Sequence, residues 1–440
     1  MQAILLWSLW QALLQPFRCA FTARGWRRFV EWITGLALNV EEHTVTQSLL
    51  ALQRPDDWKA LESFVETGHW NQPVLEFSFA QLLDSSPGQR WYGYCVSALD
   101  DTKVHRSSAN VWGTCTFHEY TARCPNRATT VRAHNWVVLG RLLANPGAPA
   151  CFLPQVGRLY FRRSQLPTMP EREQFRTKCQ LAVELFRNQA KDVPGPHLAV
   201  FDGGFAFRSV VRPLAIPEPG QPRIDFLTRL RHDARLCRLP PAEGSTKRRG
   251  PKRKWGRRLP PPRQGGRWPG SWQVGQAFIY GRSRRVRWKE VVCLWRVLGS
   301  ERPVKAVVAE VEGFTKRFRL VSSALGLSGL QMVELFAARF RQEDGFRDLK
   351  QRLGWEECRA WTKQPIERTT QALFVAMSLM RLLQFRLAGL EQTEWWEPPP
   401  WNRKKERPSV LDVARVLRQH AGEIRQYVSE WLTEGENRAG

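Results

Sequence analysis

At 440 residues the chain exceeds the usual size of a single core, and 42% apolar with 25% charged residues excludes a wholly disordered polypeptide. Lys and Arg number 67 against 41 Asp and Glu, a net charge of +26 that points to a polyanionic partner, nucleic acid before any small acidic substrate. The basic residues are spread through Trp-containing segments and are not gathered on one amphipathic helix, which argues against a membrane partner; with cysteines that suit a reducing compartment, the expectation is a cytoplasmic, nucleoid-associated protein. Nine cysteines, an odd number with no CxxC pair, support neither a disulfide framework nor a zinc site.

Residues 1–90 show helical periodicity. The opening "MQAILLWSLWQALLQP" lacks the basic flank and small-residue cleavage site of a signal peptide and reads as an amphipathic helix. "WRRFVEWITGLA", "TVTQSLLALQ" and "DWKALESFVETG" follow as short helices with polar turns, the pattern of a helical DNA-binding domain. From residue 91 the pattern alternates. "RWYGYCVSALDD", "NVWGTCTFHEY", "HNWVVLGRLL" and "RLYFR" read as strands, "EREQFRTKCQLAVELFRNQAK" as a helix, and "GPHLAVFDGGFAF" and "RIDFLTRLRHDARL" as further strands. This order predicts a mixed α/β sheet with helical crossovers over 91–239.

Residues 240–327 break the pattern. Eight of the twelve positions from Lys247 to Arg258 are basic, and Pro and Gly surround them. No packed core forms from such a composition, and Lys247, Arg248, Arg249, Lys252, Arg253 and Lys254 read as a DNA-tracking arm. "QAFIYG", "RVRWKEVVCLWRVL", "PVKAVVAEVEG" and "KRFRLVSS" then predict a β-rich insertion. A helix follows within 328–390, where the apolar run 372–385 reads as buried core. Residues 391–440 form a helical C-terminal region, with Ser409 as an N-cap.

Ser328 and Gln331 have capping-box spacing, with Leu327 and Met332 as the staple. Continued as one helix, this segment places Phe336, Arg339, Glu343 and Lys350 within an arc of roughly 60°. Leu335, Phe346, Leu349 and Leu353 form the bordering apolar stripe. Two further carboxylate positions stand at strand ends, where sites of α/β sheets collect: Asp100 and Asp101 in "VSALDDT", and Asp202 in "LAVFDGG". Successive strand side chains point to opposite faces, so only one of Asp100 and Asp101 faces a given site. His105, His118 and His134 share no metal-site spacing and read as ordinary surface or core histidines. Arg229 and Arg231 would share one strand face, as a phosphate grip or a solvated surface.

Asp101 followed by Thr, Asp202 after an apolar strand, and Glu343 inside F-x2-R-x3-E-x6-K resemble the Asp-Asp-Glu transposases of bacterial insertion sequences, in the group with the Tyr-Arg-Glu-Lys signature. The resemblance covers residues 91 to about 385. It implies an RNase H-like core, interrupted by the β-rich insertion, in which Asp101, Asp202 and Glu343 bind two Mg²⁺ ions, with Mn²⁺ as a substitute. Such a pair of hard ions, roughly 4 Å apart, activates a water or 3′-hydroxyl and stabilises the leaving oxygen. It also implies DNA contacts from Arg339 and Lys350, a homodimer on paired ends, and cut-and-paste transfer of terminal inverted repeats into target DNA. The family motif places the ligand directly before Thr, which selects Asp101 and leaves Asp100 as the alternative. Phe336 departs from the signature's Tyr, so only packing or stacking is available at that position. Relatives that form a DNA hairpin stack a flipped base on an aromatic residue of the insertion; here Trp255, Trp268, Trp272, Trp288 and Trp295 lie in it. The rival reading is a catalytically inactive DNA-binding derivative of such an enzyme.

Overall fold

The structure is a computed structural model that describes residues 3–119, 129–145, 149–164, 174–241, 253–389 and 395–437. Five helices come first: α1 (Ala3–Leu14), α2 (Ala23–Leu38), α3 (Gln47–Ala51), α4 (Trp58–Glu66) and α5 (Gln72–Asp84). Thr22 caps α2 by accepting from Gly25 N, which satisfies an amide the helix itself leaves unpaired. Four strands follow, β1 (Cys95–His105), β2 (Cys115–His118), β3 (Thr130–Leu143) and β4 (Cys151–Tyr160), then α6 (Lys178–Asp192), β5 (His197–Phe201), α7 (Arg208–Ala215) and β6 (Ile224–Arg229). The short β7 (Leu236–Cys237) precedes the antiparallel run β8 (Gln273–Ile279), β9 (Arg282–Trp295), β10 (Val304–Val311) and β11 (Phe318–Ser322). Helices α8 (Gly329–Ala338), α9 (Arg341–Arg352), α10 (Lys363–Ala388), α11 (Val410–Gln419) and α12 (Ala421–Asn437) complete the chain.

The sheet is mixed, as its sequence pattern predicts, and it is continuous in the order β2-β3-β1-β5-β6-β11-β10-β9-β7, with β4 also on β3 and β8 on β9. β1 runs antiparallel to β3 and parallel to β5, which in turn runs parallel to β6. The β-rich region predicted over 240–327 extends this sheet: β11 pairs with β6 through Leu320 opposite Arg229.

Helices cover both faces. On one, Leu99, Val137, Phe201 and Phe226 pack with Leu181 and Leu185 of α6 and Val210 and Leu214 of α7. On the other, Val96, Ala98, Val104 and Val138 join Phe346 and Leu349 of α9 and the buried length of α10. That second core runs from Leu6 and Trp10 of α1 to Val428 of α12, so the terminal helices share it with the sheet. Arg368 of α10 fastens the join, donating to the carbonyls of Val65 and Gly68 at 2.8 Å each. Among the described residues no helix is long and apolar enough to cross a membrane.

The capping box at Ser328 forms as the sequence predicts: Gln331 N donates to Ser328 Oγ (3.2 Å) and Ser328 N to Gln331 Oε1 (2.8 Å). The single helix predicted to follow is instead two. At Arg339 and Phe340 the chain tightens, with Phe340 N donating to Ala337 O (3.2 Å) and Glu343 N to Phe340 O (3.0 Å), three residues back where a continuous α-helix would reach four. No Gly or Pro stands at this break. Gly345 then lets α9 lie close to β4, because a Cβ there would come within 2.7 Å of Phe152 Cδ1.

Candidate active site

Strand parity decides which of the paired aspartates meets α9. Ala98 and Val104 of β1 point into the layer containing α9, and Leu99 points into the layer containing α6. Asp100 therefore shares the α9 face, and Asp101 the α6 face. The contacts agree. Asp100 Oδ2 accepts from Arg339 Nη1 at 3.0 Å, whereas Asp101 Oδ2 accepts from Lys178 Nζ at 2.6 Å. With its amide oriented to suit both partners, Asn135 donates to Asp101 Oδ2 (3.1 Å) and accepts from Lys178 Nζ (2.9 Å). The aspartate selected by the family motif thus turns away from Glu343, and the alternative turns towards it.

Arg339 joins the two carboxylates on the α9 face. Its Nη2 donates to Glu343 Oε1 at 3.1 Å while Nη1 holds Asp100, so one guanidinium fork bridges strand and helix. The two bonded carboxylate oxygens consequently lie within about 8 Å of one another, the span a planar guanidinium and two hydrogen bonds allow. The Arg339 side chain is 11% exposed and its Nε has no partner among the described residues. Beneath it lies the Phe336 ring, 5.7 Å from the guanidinium carbon, so this position stacks where a phenol would hydrogen-bond.

Asp202 follows the last residue of β5, whose Phe201 is opposite Leu99 of β1, so Asp202 and Asp100 occupy corresponding positions on neighbouring parallel strands. Val200 faces the α9 layer, and with extended backbone Asp202 takes the same face. Its Oδ1 accepts from Gly204 N at 2.6 Å and its carbonyl from Thr228 Oγ1 at 3.0 Å, which fix the strand end. Burial pushes the Asp100 carboxyl up to about 7; Arg339 opposes the rise, and the negative charges of Asp202 and Asp101 add to it. Asp100 and Asp202 therefore feel one another's charge. Among the described residues, however, no three His, Cys, Asp or Glu side chains approach closely enough in this conformation to hold a metal ion.

Lys350 does not join this group. It sits two turns further along α9, where burial lowers its pKa against the attraction of Glu356 and Glu119. Of the predicted basic arm, Arg253 and Lys254 are exposed, and Lys247, Arg248, Arg249 and Lys252 lie outside the described residues. His134 is buried in a structural role, its Nε2 2.7 Å from Trp112 O and its Nδ1 accepting from Arg106 Nε at 3.2 Å. Of the inserted tryptophans, Trp268, Trp288 and Trp295 are core, while Trp255 and Trp272 carry Arg296 (4.0 Å) and Arg287 (4.9 Å) over their rings.

The sequence reading missed Tyr280. It occupies the tip of the β8–β9 hairpin, with its ring 5.4 Å from Phe340 and 5.4 Å from Phe314. Burial raises its phenol pKa, and Arg339, Glu343 and Arg229 all act on it electrostatically. Its one local signal is Tyr before Gly281 in a two-residue turn.

Comparison with known families matches residues 16–293 to a family described as a DDE superfamily endonuclease. The match covers more than half of the chain and contains Asp100, Asp101 and Asp202; Glu343 lies beyond it. No curated protein matches the chain.

Proposed function

Because the chain belongs to the DDE superfamily endonucleases, we propose that it is a DNA transposase whose phosphoryl-transfer centre is formed by Asp100, Asp202 and Glu343, in an RNase H-like core. The observation that carries the reading is the Arg339 fork joining Asp100 to Glu343 beside the Asp202 strand end. Order in the sheet supports the core: β4-β3-β1-β5-β6 is an antiparallel meander continued by parallel strands, with helices on both faces.

The donor set suits a hard divalent ion. All three groups are carboxylates, and Asp100 and Glu343 already share a cation, the guanidinium of Arg339. Asp100, Asp202 and Glu343 would hold magnesium once Arg339 moves aside. When bound, such ions would activate a water or the DNA's own 3′-hydroxyl as nucleophile and stabilise the leaving oxygen. The protein's own residues do the rest. Arg339, released from the carboxylates, grips the phosphate of the cleaved strand bidentately. Asp101 stays with Lys178 and Asn135 and braces β1 against α6. The exposed Arg253 and Lys254, with the remainder of the basic arm, track the duplex backbone, and the helical 1–90 region contributes to end recognition.

The finer reading is cut-and-paste transposition by a bacterial insertion-sequence enzyme of the Tyr-Arg-Glu-Lys group, acting as a homodimer on paired terminal repeats. Incubating the protein and Mg²⁺ with a supercoiled plasmid that carries the DNA flanking the coding region tests it. Double-strand release at the element's ends by wild type, absent in Asp202→Asn and Glu343→Gln, is the expected result. Equal cutting by all three proteins would remove the site.

A further inference from the structure

We propose that Tyr280 is a substrate-binding residue of this centre: its phenol donates a hydrogen bond to a non-bridging oxygen of the DNA phosphate that Arg339 grips. The proposal rests on the phosphoryl-transfer reading above and deepens it, because the residue comes from the β8–β9 hairpin, remote in sequence from the carboxylates.

The hairpin is built to deliver this side chain. Tyr280 and Gly281 have φ values of +49° and +83°, the two-residue turn in which Asn, Asp and Gly are the usual occupants. Glycine takes that conformation freely; tyrosine is strained in it, and strain of this kind is retained where a side chain has a use. The ring lands on the break between α8 and α9. It meets Phe340 edge-on at 5.4 Å, and Phe340 is the neighbour of Arg339. Phe314, tilted against it at 5.4 Å, holds the other side. The ring is thus fixed by aromatic packing while the residue remains 36% exposed.

What the hydroxyl does follows from its surroundings. It makes no hydrogen bond to a described residue, so its donor is spare. It lies within the fields of Arg339, Glu343 and Arg229, two cations that draw in a phosphate and one carboxylate of the proposed centre. A phenol is protonated at neutral pH and its burial favours that form, so it acts as a donor. Phe336, whose ring lies 5.7 Å from the Arg339 guanidinium carbon, offers no hydroxyl, whereas Tyr280 brings one within the field of that guanidinium.

Tyr280→Phe removes the oxygen and keeps the ring on Phe340 and Phe314, and a thermal melt verifies that the fold is kept. The probes are a labelled duplex carrying the flanking end sequence, and the same duplex with a methylphosphonate at the position wild type cleaves. Affinity is read by fluorescence anisotropy and cleavage in single turnover. One hydrogen bond to a charged oxygen corresponds to a loss of about 10-fold or more. The expected result is that loss for Tyr280→Phe on the natural duplex in affinity or rate, together with a methylphosphonate penalty in affinity that is smaller for the variant than for wild type. If wild type cuts and Tyr280→Phe matches it, or if the variant and the methylphosphonate each cost the same alone and together, the phosphate contact is refuted and the carboxylate centre stands. If wild type neither binds nor cuts the duplex, the phosphoryl-transfer reading falls and the tyrosine proposal falls with it.

Discussion

Replacing Asp100 by Asn should change how the stability of the metal-free protein responds to pH. The carboxyl is raised from 3.8 to about 7 in the folded chain, chiefly by burial. Three units at about 1.4 kcal/mol each give about 4 kcal/mol as the ceiling of the linked free energy. Its side chain keeps 21% exposure, and solvent screening there brings the expectation to about 2–4 kcal/mol. The folded form binds the proton more tightly than the unfolded one, so the stabilisation is full below pH 4 and is lost as pH climbs through about 7. Asn has no proton to exchange and lacks this dependence. Urea unfolding in EDTA across that range, taken as wild type minus Asp100→Asn, should therefore fall steadily with rising pH. A flat difference, or one rising with pH, would refute the assignment of a buried, proton-retaining carboxyl to this position.

Arg339→Ala removes both ion pairs from a side chain that is mostly buried, and loss of about 2–4 kcal/mol in stability should accompany a rise in Mg²⁺ or Mn²⁺ affinity of about tenfold or more. Titration calorimetry without DNA measures this, and unchanged metal affinity would show that the guanidinium does not occupy the cation position. Gly345→Ala should destabilise by about 1–3 kcal/mol, against the roughly 1 kcal/mol gain that Ala gives in an ordinary helix, because its Cβ overlaps Phe152 and pushes α9 away from the sheet. Cleavage should fall with it, since Glu343 rides on α9; a stabilised, fully active variant would contradict the packing.

Much of the architecture is legible in the sequence because it is local. Alternation marks β1, β3 and the β8–β11 run, a short apolar stretch after Gly and Pro marks β5, and Ser328 with Gln331 marks the start of α8. The strand-end position of Asp202 is legible for the same reason, whereas Asp100 and Asp101, expected at a strand end, lie in the middle of β1, which continues to His105 because its pairing with β3 runs on past them. Parity shows that only one of Asp100 and Asp101 can face Glu343, but it leaves open which face α9 covers; that is set by long-range packing of Phe346 and Leu349 on the layer of Ala98 and Val104. The break at Arg339 and Phe340 has no helix-breaking residue to announce it. A continuous helix there would carry Phe336, Arg339, Glu343 and Lys350 on one face, whereas the broken one keeps Arg339 with Glu343 and leaves Lys350 beside Glu356 and Glu119. Tyr280 was not singled out for a related reason, since Phe314 is brought to it by the pairing of β9 with β10, and Phe340 by the packing of α8 against β8 and β9.

The most direct measurement compares Mg²⁺-dependent strand cleavage by Asp100→Asn and Asp101→Asn on the same end-bearing plasmid. With Asp100 on the face of Glu343 and Asp101 paired to Lys178, Asp100→Asn should abolish cutting, and Asp101→Asn should retain measurable cutting with a modest loss of stability. Loss of cutting in Asp101→Asn alone, with Asp100→Asn active, would contradict the account and return the metal site to the face of α6.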